Sequence, residues 1–288
     1  MALSGGGARG IAHIGVIDVL KERGFVPAEI VGTSMGALVG ALYASGTSDA
    51  FRDWILDANR KEIVKYLDFS LHEPGLIKGK KIMKKLASFL PYNRIEDLPV
   101  SYTAIATDIV NEQEVALQHG DLISAIRASI SIPFVFTPVH YRDKWLVDGG
   151  VVNNLPLDYL KKRTETLSVG VWVNSPYGME LLPEKIRLNQ SRPVHESKKI
   201  NAYLHKIIPR SSSESKEESP GYYEILDASL HLIMSRNTQL MIRKYPPDIM
   251  IHIPRKLAGT FDFLSSEKLY RAGRFLAEKA LNAYFSGR

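Results

Sequence analysis

The sequence predicts an α/β protein: a three-layer α/β/α sandwich around a mostly parallel central sheet. Three observations carry that expectation. Short apolar runs alternate with longer helical ones, the order that a parallel sheet with crossover helices produces. Two junctions between them are framed by glycine, Gly5-Gly6-Gly7-Ala8-Arg9-Gly10 and Gly32-Thr33-Ser34-Met35-Gly36. A length of 288 residues, 45% hydrophobic and 24% charged, allows one large α/β domain or two small ones. No internal repeat is visible, so a single domain over residues 1–288 is the simplest organisation.

Only Met1-Ala2-Leu3-Ser4 precede the first glycine loop, so the strand leading into it is expected to be cut short, as though a few native residues were missing. Residues 11–23 read as a helix that is apolar almost all round (Ile11, Ile14, Val16, Ile17, Leu20), stopped by Gly24 and buried against a sheet. Residues 28–31 form a short apolar strand that delivers the chain to Gly32. A second helix follows over residues 35–44 and ends at Gly46. Strands are expected at 102–107 and 114–118, and a short helix at 122–128. The prolines of the apolar stretch 132–138 make it a loop rather than a central strand.

Residues 141–147 form a hairpin-like strand ending at Asp148-Gly149-Gly150, after which Asn153 or Asn154 is expected to cap a helix begun by Pro156. A buried strand follows at 167–173. Residues 186–221 are rich in serine and charge and lack apolar anchors towards their end, so a mobile polar excursion is expected there. A helix over 222–244, a strand at 249–253 and a last helix over 266–285 complete the chain.

Composition narrows the function classes. No apolar stretch approaches the roughly 20 residues that span a bilayer. No basic-then-apolar secretory leader is expected either. The absence of cysteine excludes disulfides, a thiol nucleophile and thiolate metal sites, and fits a reducing, cytoplasmic setting. A net charge of +6 favours anionic partners. No zinc-finger spacing, aromatic RNA-binding signature or basic tail argues for nucleic acid, so none is expected.

The chemistry lies in the glycine-framed turns. Gly32-Thr33-Ser34-Met35-Gly36 has the G-x-S-x-G form, a strained strand-to-helix turn that presents a serine hydroxyl at a helix N-terminus. The run from Gly5 to Gly10 offers backbone amides with little side chain, and those of Gly6, Gly7 and Ala8 are placed to receive an oxyanion. Arg9 either fixes that loop, adds positive potential beside it or makes a surface ion pair. Gly5, Gly7 and Gly10 also satisfy G-x-G-x-x-G, but the second strand ends without the carboxylate that a dinucleotide ribose needs.

A serine needs a base. His195 and His205 lie in the polar excursion, His231 in a helix, His252 inside a strand and His13 on the first helix; each reads as a surface or packing residue. Asp148 instead ends an apolar strand (Trp145-Leu146-Val147) and is followed by Gly149 and Gly150, with backbone room around it. It reads as an Asx turn or a helix cap, or as a base, the last if desolvation raises its pKa.

The glycine loop, the serine turn and Asp148-Gly149-Gly150, in this order, resemble the patatin-like phospholipases, in particular their compact bacterial members and the catalytic domain of neuropathy target esterase. Residues 129–138 and 247–263 are similar as well, while 178–221 are not covered and the short first strand departs from the pattern. The resemblance implies a Ser–Asp dyad without histidine: Ser34 as nucleophile, Asp148 as general base and the loop from Gly5 to Gly10 as oxyanion hole. It also implies calcium-independent hydrolysis of acyl esters in phospholipids, lysophospholipids or neutral lipids, with no metal and no cofactor.

The segment 78–90 joins five lysines to apolar residues at helical spacing (Ile82, Leu86, Phe89, Leu90). Two readings stand: a basic amphipathic helix lying on an anionic membrane, or a surface helix with a core face. The expected function is a serine acyl hydrolase of lipid esters. The alternatives are a transacylase using the same acyl-enzyme and a lipid-binding adaptor with little turnover.

Overall fold

The computed structural model describes residues 1–66, 79–160, 165–188 and 222–287. Its strands are β1 (Ala2–Leu3), β2 (Glu29–Thr33), β3 (Ser101–Asp108), β4 (Gln113–Leu117), β5 (Val139–Tyr141), β6 (Lys144–Asp148), β7 (Val169–Ser175) and β8 (Ile249–Pro254). They form one sheet in the order β5-β6-β3-β2-β1-β7-β8, with β4 also paired to β3. The run from β3 to β8 is parallel; β4, β5 and β6 are antiparallel additions. The expected mostly parallel α/β sheet is the observed one.

Period-2 alternation divides the sheet into two faces. Leu3, Val171, Val173, Ile249, Ile251 and Ile253 belong to the main core, under α1 (Ala12–Glu22), α2 (Met35–Ala44) and the last helix. Ala2, Trp172 and Met250 belong to a second cluster, packed by Leu155 and Leu157 and by Ile242 of the helix Tyr222–Lys244. The remaining helices are α3 (Ser48–Asp57), α4 (Arg60–Tyr66), α5 (Lys80–Ala87), α6 (Leu122–Ser129), α7 (Glu184–Arg187), α8 (Tyr222–Lys244) and α9 (Ser266–Ser286). The first helix is buried along nearly its whole length because it lies between the sheet and α9. Gly15 and Gly273 let the two backbones touch: a Cβ on Gly273 would lie 2.1 Å from the Ala12 carbonyl oxygen.

The first strand is two residues long, yet it sits mid-sheet between β2 and β7. The Met1 amine anchors it by donating to the Glu29 carbonyl at 2.7 Å.

The register around β3 matters most for the site. Residues 104 and 105 pair with both β2 and β4, and 106–108 pair with both β4 and β6. A strand has only two edges, so β2 and β6 share the edge opposite β4. They run towards each other along it. Thr33 at the end of β2 pairs with Ile105, and Asp148 at the end of β6 pairs with the next residue, Ala106.

Two local expectations are corrected. The stretch 141–147 is not one strand: β5 and β6 form a hairpin that turns at Arg142, which takes φ 53°. Neither Asn153 nor Asn154 caps a helix begun by Pro156. Pro156 takes ψ 65°, outside the helical range, so only the 3₁₀ turn Leu157–Tyr159 follows it, without a side-chain cap. The Asn153 amide donates instead to Asp158 at 3.0 Å. Most of the expected excursion, 189–221, lies outside the described residues, as do His195, His205 and Lys78; Ile186 and Arg187 belong to α7.

Candidate active site

Ser34 stands at the head-on meeting of β2 and β6. Its backbone takes φ 54° and ψ −123°, a strained conformation for a residue with a side chain. The surroundings hold it there. Its N–H donates to Ser129 Oγ at 2.9 Å, and that hydroxyl donates to the Ile105 carbonyl at 2.6 Å. The turn leaves no room beside it: a Cβ on Gly32 would meet the Gly36 backbone at 2.4 Å, and one on Gly36 would meet Leu3 O at 2.3 Å. Both framing glycines are therefore sterically required.

Asp148 is buried, 5% exposed. Its Oδ1 accepts the Gly150 N–H at 2.8 Å, while its Oδ2 has no hydrogen-bond partner among the described residues. Burial pushes its pKa up from 3.8 to about 6, against the opposing pull of the Ser34 hydroxyl and the Gly150 amide. The Ser34 hydroxyl thus favours the ionised carboxylate against the effect of burial. Gly149 fits because a Cβ there would meet Ile105 O at 2.3 Å.

The loop from Gly5 to Gly10 faces the same space, and its amides divide into two groups. Gly5 N–H donates to Asn154 O at 3.1 Å, and Ala8 N–H to Thr260 O at 2.8 Å. Those of Gly6 and Gly7 have no acceptor among the described residues. The expectation that Ala8 faces an oxyanion therefore fails, because its amide is already bonded. Arg9 is no surface residue. At 2% exposure it donates to Asn174 Oδ1 at 2.6 Å, to Thr260 Oγ1 at 3.1 Å and to the Ala258 carbonyl, so it fixes the loop.

Two cavities meet at Ser34. One, of about 390 Å³, is lined by Gly5, Gly6, Asp148, Asn154 and Asn174, with the apolar side chains of Phe134 and Met234 opposite. The other, of about 120 Å³, runs from Ser34 and Leu38 to Phe51, Trp54, Tyr66 and Ile82. At its far end Trp54 packs against Phe51, Tyr66 and Phe89 with ring centroids 5.5, 5.8 and 5.6 Å away.

The histidines hold other positions. His13 is fully buried on α1, with its Nε2 2.9 Å from the Ser4 carbonyl oxygen; burial lowers its pKa to about 4. His252 Nδ1 lies 3.0 Å from Ser175 Oγ, and burial lowers its pKa too. His231, read from sequence as a surface or packing residue, lines the larger cavity. Among the described residues no three His, Asp or Glu side chains cluster as metal ligands, and no helix is long and apolar enough to cross a membrane. Helix α5 turns its apolar face inwards, burying Met83 and Leu86 and lining the smaller cavity with Ile82 and Leu86.

Sequence reasoning missed Ser129, Thr260 and the aromatic end of the smaller cavity. Nothing in their spacing marks them, since each acts across a long stretch of chain.

A family model described as patatin-like phospholipase matches residues 1–161. An uncharacterized NTE family protein of Mycobacterium tuberculosis is 29% identical over 330 residues, covering 99% of this chain and 91% of its own length. A protein named lysophospholipase NTE1 from Meyerozyma guilliermondii is 25% identical over 297 residues; the match covers 99% of this chain but 19% of the fungal protein. Among solved structures, VipD from Legionella pneumophila aligns over 99% of this chain and 66% of its own, at 15% identity and a TM-score of 0.43.

Proposed function

This chain belongs to the patatin-like phospholipase family, and from that premise we propose that it is a serine acyl hydrolase of lipid esters acting through a Ser34–Asp148 dyad. The observation that carries the reading is the convergence of β2 and β6 on one edge of β3, which brings Ser34 and the buried Asp148 to adjoining positions, in a cavity that Gly6 and Gly7 also line.

Asp148 Oδ2 takes the Ser34 proton as Oγ attacks the ester carbonyl. An aspartate of ordinary pKa would be a weak base; burial brings this one closer to the working range. The carbonyl oxygen becomes an oxyanion and receives the N–H groups of Gly6 and Gly7. The alcohol or lysolipid leaves with the proton from Asp148, and water then releases the fatty acid from Ser34. The acyl chain enters the smaller cavity, whose lining offers it apolar side chains. The leaving group occupies the larger one. Phospholipids, lysophospholipids and simpler acyl esters are the substrate classes that fit.

The test is turnover of a p-nitrophenyl ester and of a lysophospholipid by the wild type and Ser34→Ala. The variant should lose turnover and labelling by a fluorophosphonate together; full activity in Ser34→Ala would refute the proposal.

A further inference from the structure

Asn154 was expected to cap a helix, and it does not. Its side chain is 3% exposed and lines the cavity that Ser34 and Asp148 share. Its amide oxygen has no hydrogen-bond partner among the described residues. A buried amide oxygen left unpaired is costly and calls for a partner. Its place is specific. A Cβ on Gly5 would meet Asn154 Oδ1 at 2.7 Å and Ser34 Cβ at 3.1 Å; one on Gly150 would meet Asn154 Oδ1 at 3.1 Å and Asp148 Oδ1 at 3.0 Å. The amide oxygen is thus wedged between the loop beside the nucleophile and the turn that carries the carboxylate. Asp148 Oδ2 is a second buried acceptor in this space without a hydrogen-bond partner among the described residues.

Asn154 Oδ1 and the Asp148 carboxyl lie to either side of the same space at Gly150, and two such acceptors fit a molecule that carries two protons on one oxygen. We infer that Asp148 and Asn154 together hold the water that deacylates the enzyme, with Asn154 fixing it for attack. This rests on the acyl-enzyme reading given above. Once Ser34 Oγ is acylated it carries no proton to share with Asp148. The water donates one hydrogen to Asp148 Oδ2 and the other to Asn154 Oδ1, which aims its lone pair at the acyl carbon. As the O–C bond forms, the first proton passes to Asp148. When the C–Oγ bond breaks, that proton moves to Ser34 Oγ and the fatty acid departs with the second proton still on its hydroxyl.

An alcohol has one hydroxyl proton and needs only Asp148. Asn154 therefore biases the acyl-enzyme towards water over alcohols, and its removal should show in the products rather than only in the rate. The experiment is the methanolysis-to-hydrolysis ratio of a p-nitrophenyl ester at fixed methanol, for wild type, Asn154→Leu and Asn154→Ala. Fluorophosphonate labelling is measured in parallel. The ratio should rise about tenfold in the variants, the effect of one lost hydrogen bond to a reacting group, while labelling changes much less. If Asn154→Leu does not fold, Asn154→Ala, which adds no apolar bulk, carries the comparison. An unchanged ratio, or labelling lost as fully as turnover, assigns Asn154 to the framework and overturns the inference. Failure of the acyl-enzyme reading looks different: the wild type itself would be neither labelled nor able to form methyl ester.

Discussion

Ser34 donates its backbone N–H to the Ser129 hydroxyl at 2.9 Å, across 95 residues of sequence, and Ser129 passes the bond on to Ile105 O at 2.6 Å. One hydroxyl therefore ties the positive-φ turn to the strand that also receives β6. Ser129→Ala would leave a buried N–H and a buried carbonyl without that link, costing about 1–3 kcal/mol. Urea unfolding should show that loss, with turnover reduced at least tenfold as the turn relaxes. Equal stability and activity in Ser129→Ala would mean that the turn is held by other contacts.

The absence of histidine from the proposed dyad separates Asp148 from His231. Asp148→Asn keeps the shape and removes the base, so turnover should fall by about three orders of magnitude. His231→Ala, although in the cavity wall, should lower it less than tenfold. A folded His231→Ala as inactive as Asp148→Asn would restore a triad.

The raised pKa of Asp148 predicts a pH-dependent stability. Its folded value of about 6 lies above the ordinary 3.8, so the folded protein binds this proton more tightly than the unfolded chain. The contribution is full below about pH 4, declines as pH rises to about 6, and stays lost above it. Asp148→Asn removes the cost of burying the anion. It should unfold at higher denaturant than the wild type at about pH 8, by an amount on the order of 3 kcal/mol, with the difference closing towards about pH 4. A variant destabilised equally at both pH values contradicts the assignment.

The smaller cavity predicts an acyl-length preference. Leu38→Trp should fill it near Ser34 and cost about tenfold more on a decanoyl than on an acetyl ester. Trp54→Ala, at the aromatic end, should shift the optimum towards longer chains. Parallel loss on all chain lengths in Leu38→Trp would place the acyl chain elsewhere.

The elements of this fold were legible because their signals are local. The apolar α1 pattern, the glycine turns at Gly5 and Gly32 and the Asp148-Gly149-Gly150 turn each follow from a few consecutive residues. The meeting of Ser34 and Asp148 depends on two strands sharing one edge of β3, a pairing that no periodicity encodes. Asn154 misled for a related reason: its spacing before Pro156 suits a cap, whereas the proline's ψ of 65° delays the helical turn. The Ala8 amide looked free because its acceptor, Thr260, lies some 250 residues away. Of the two readings of the lysine-rich segment, burial of Met83 and Leu86 supports the helix with a core face.

The central claim is that Ser34 is the nucleophile and Asp148 its base. The most direct measurement is the rate of fluorophosphonate labelling against pH, with the adduct located by peptide mass mapping. The adduct should sit on Ser34, and the rate should rise about tenfold per pH unit below about pH 6 before reaching a plateau as Asp148 ionises. An adduct on another residue, or a Ser34 labelling rate indifferent to pH through this range, would contradict it.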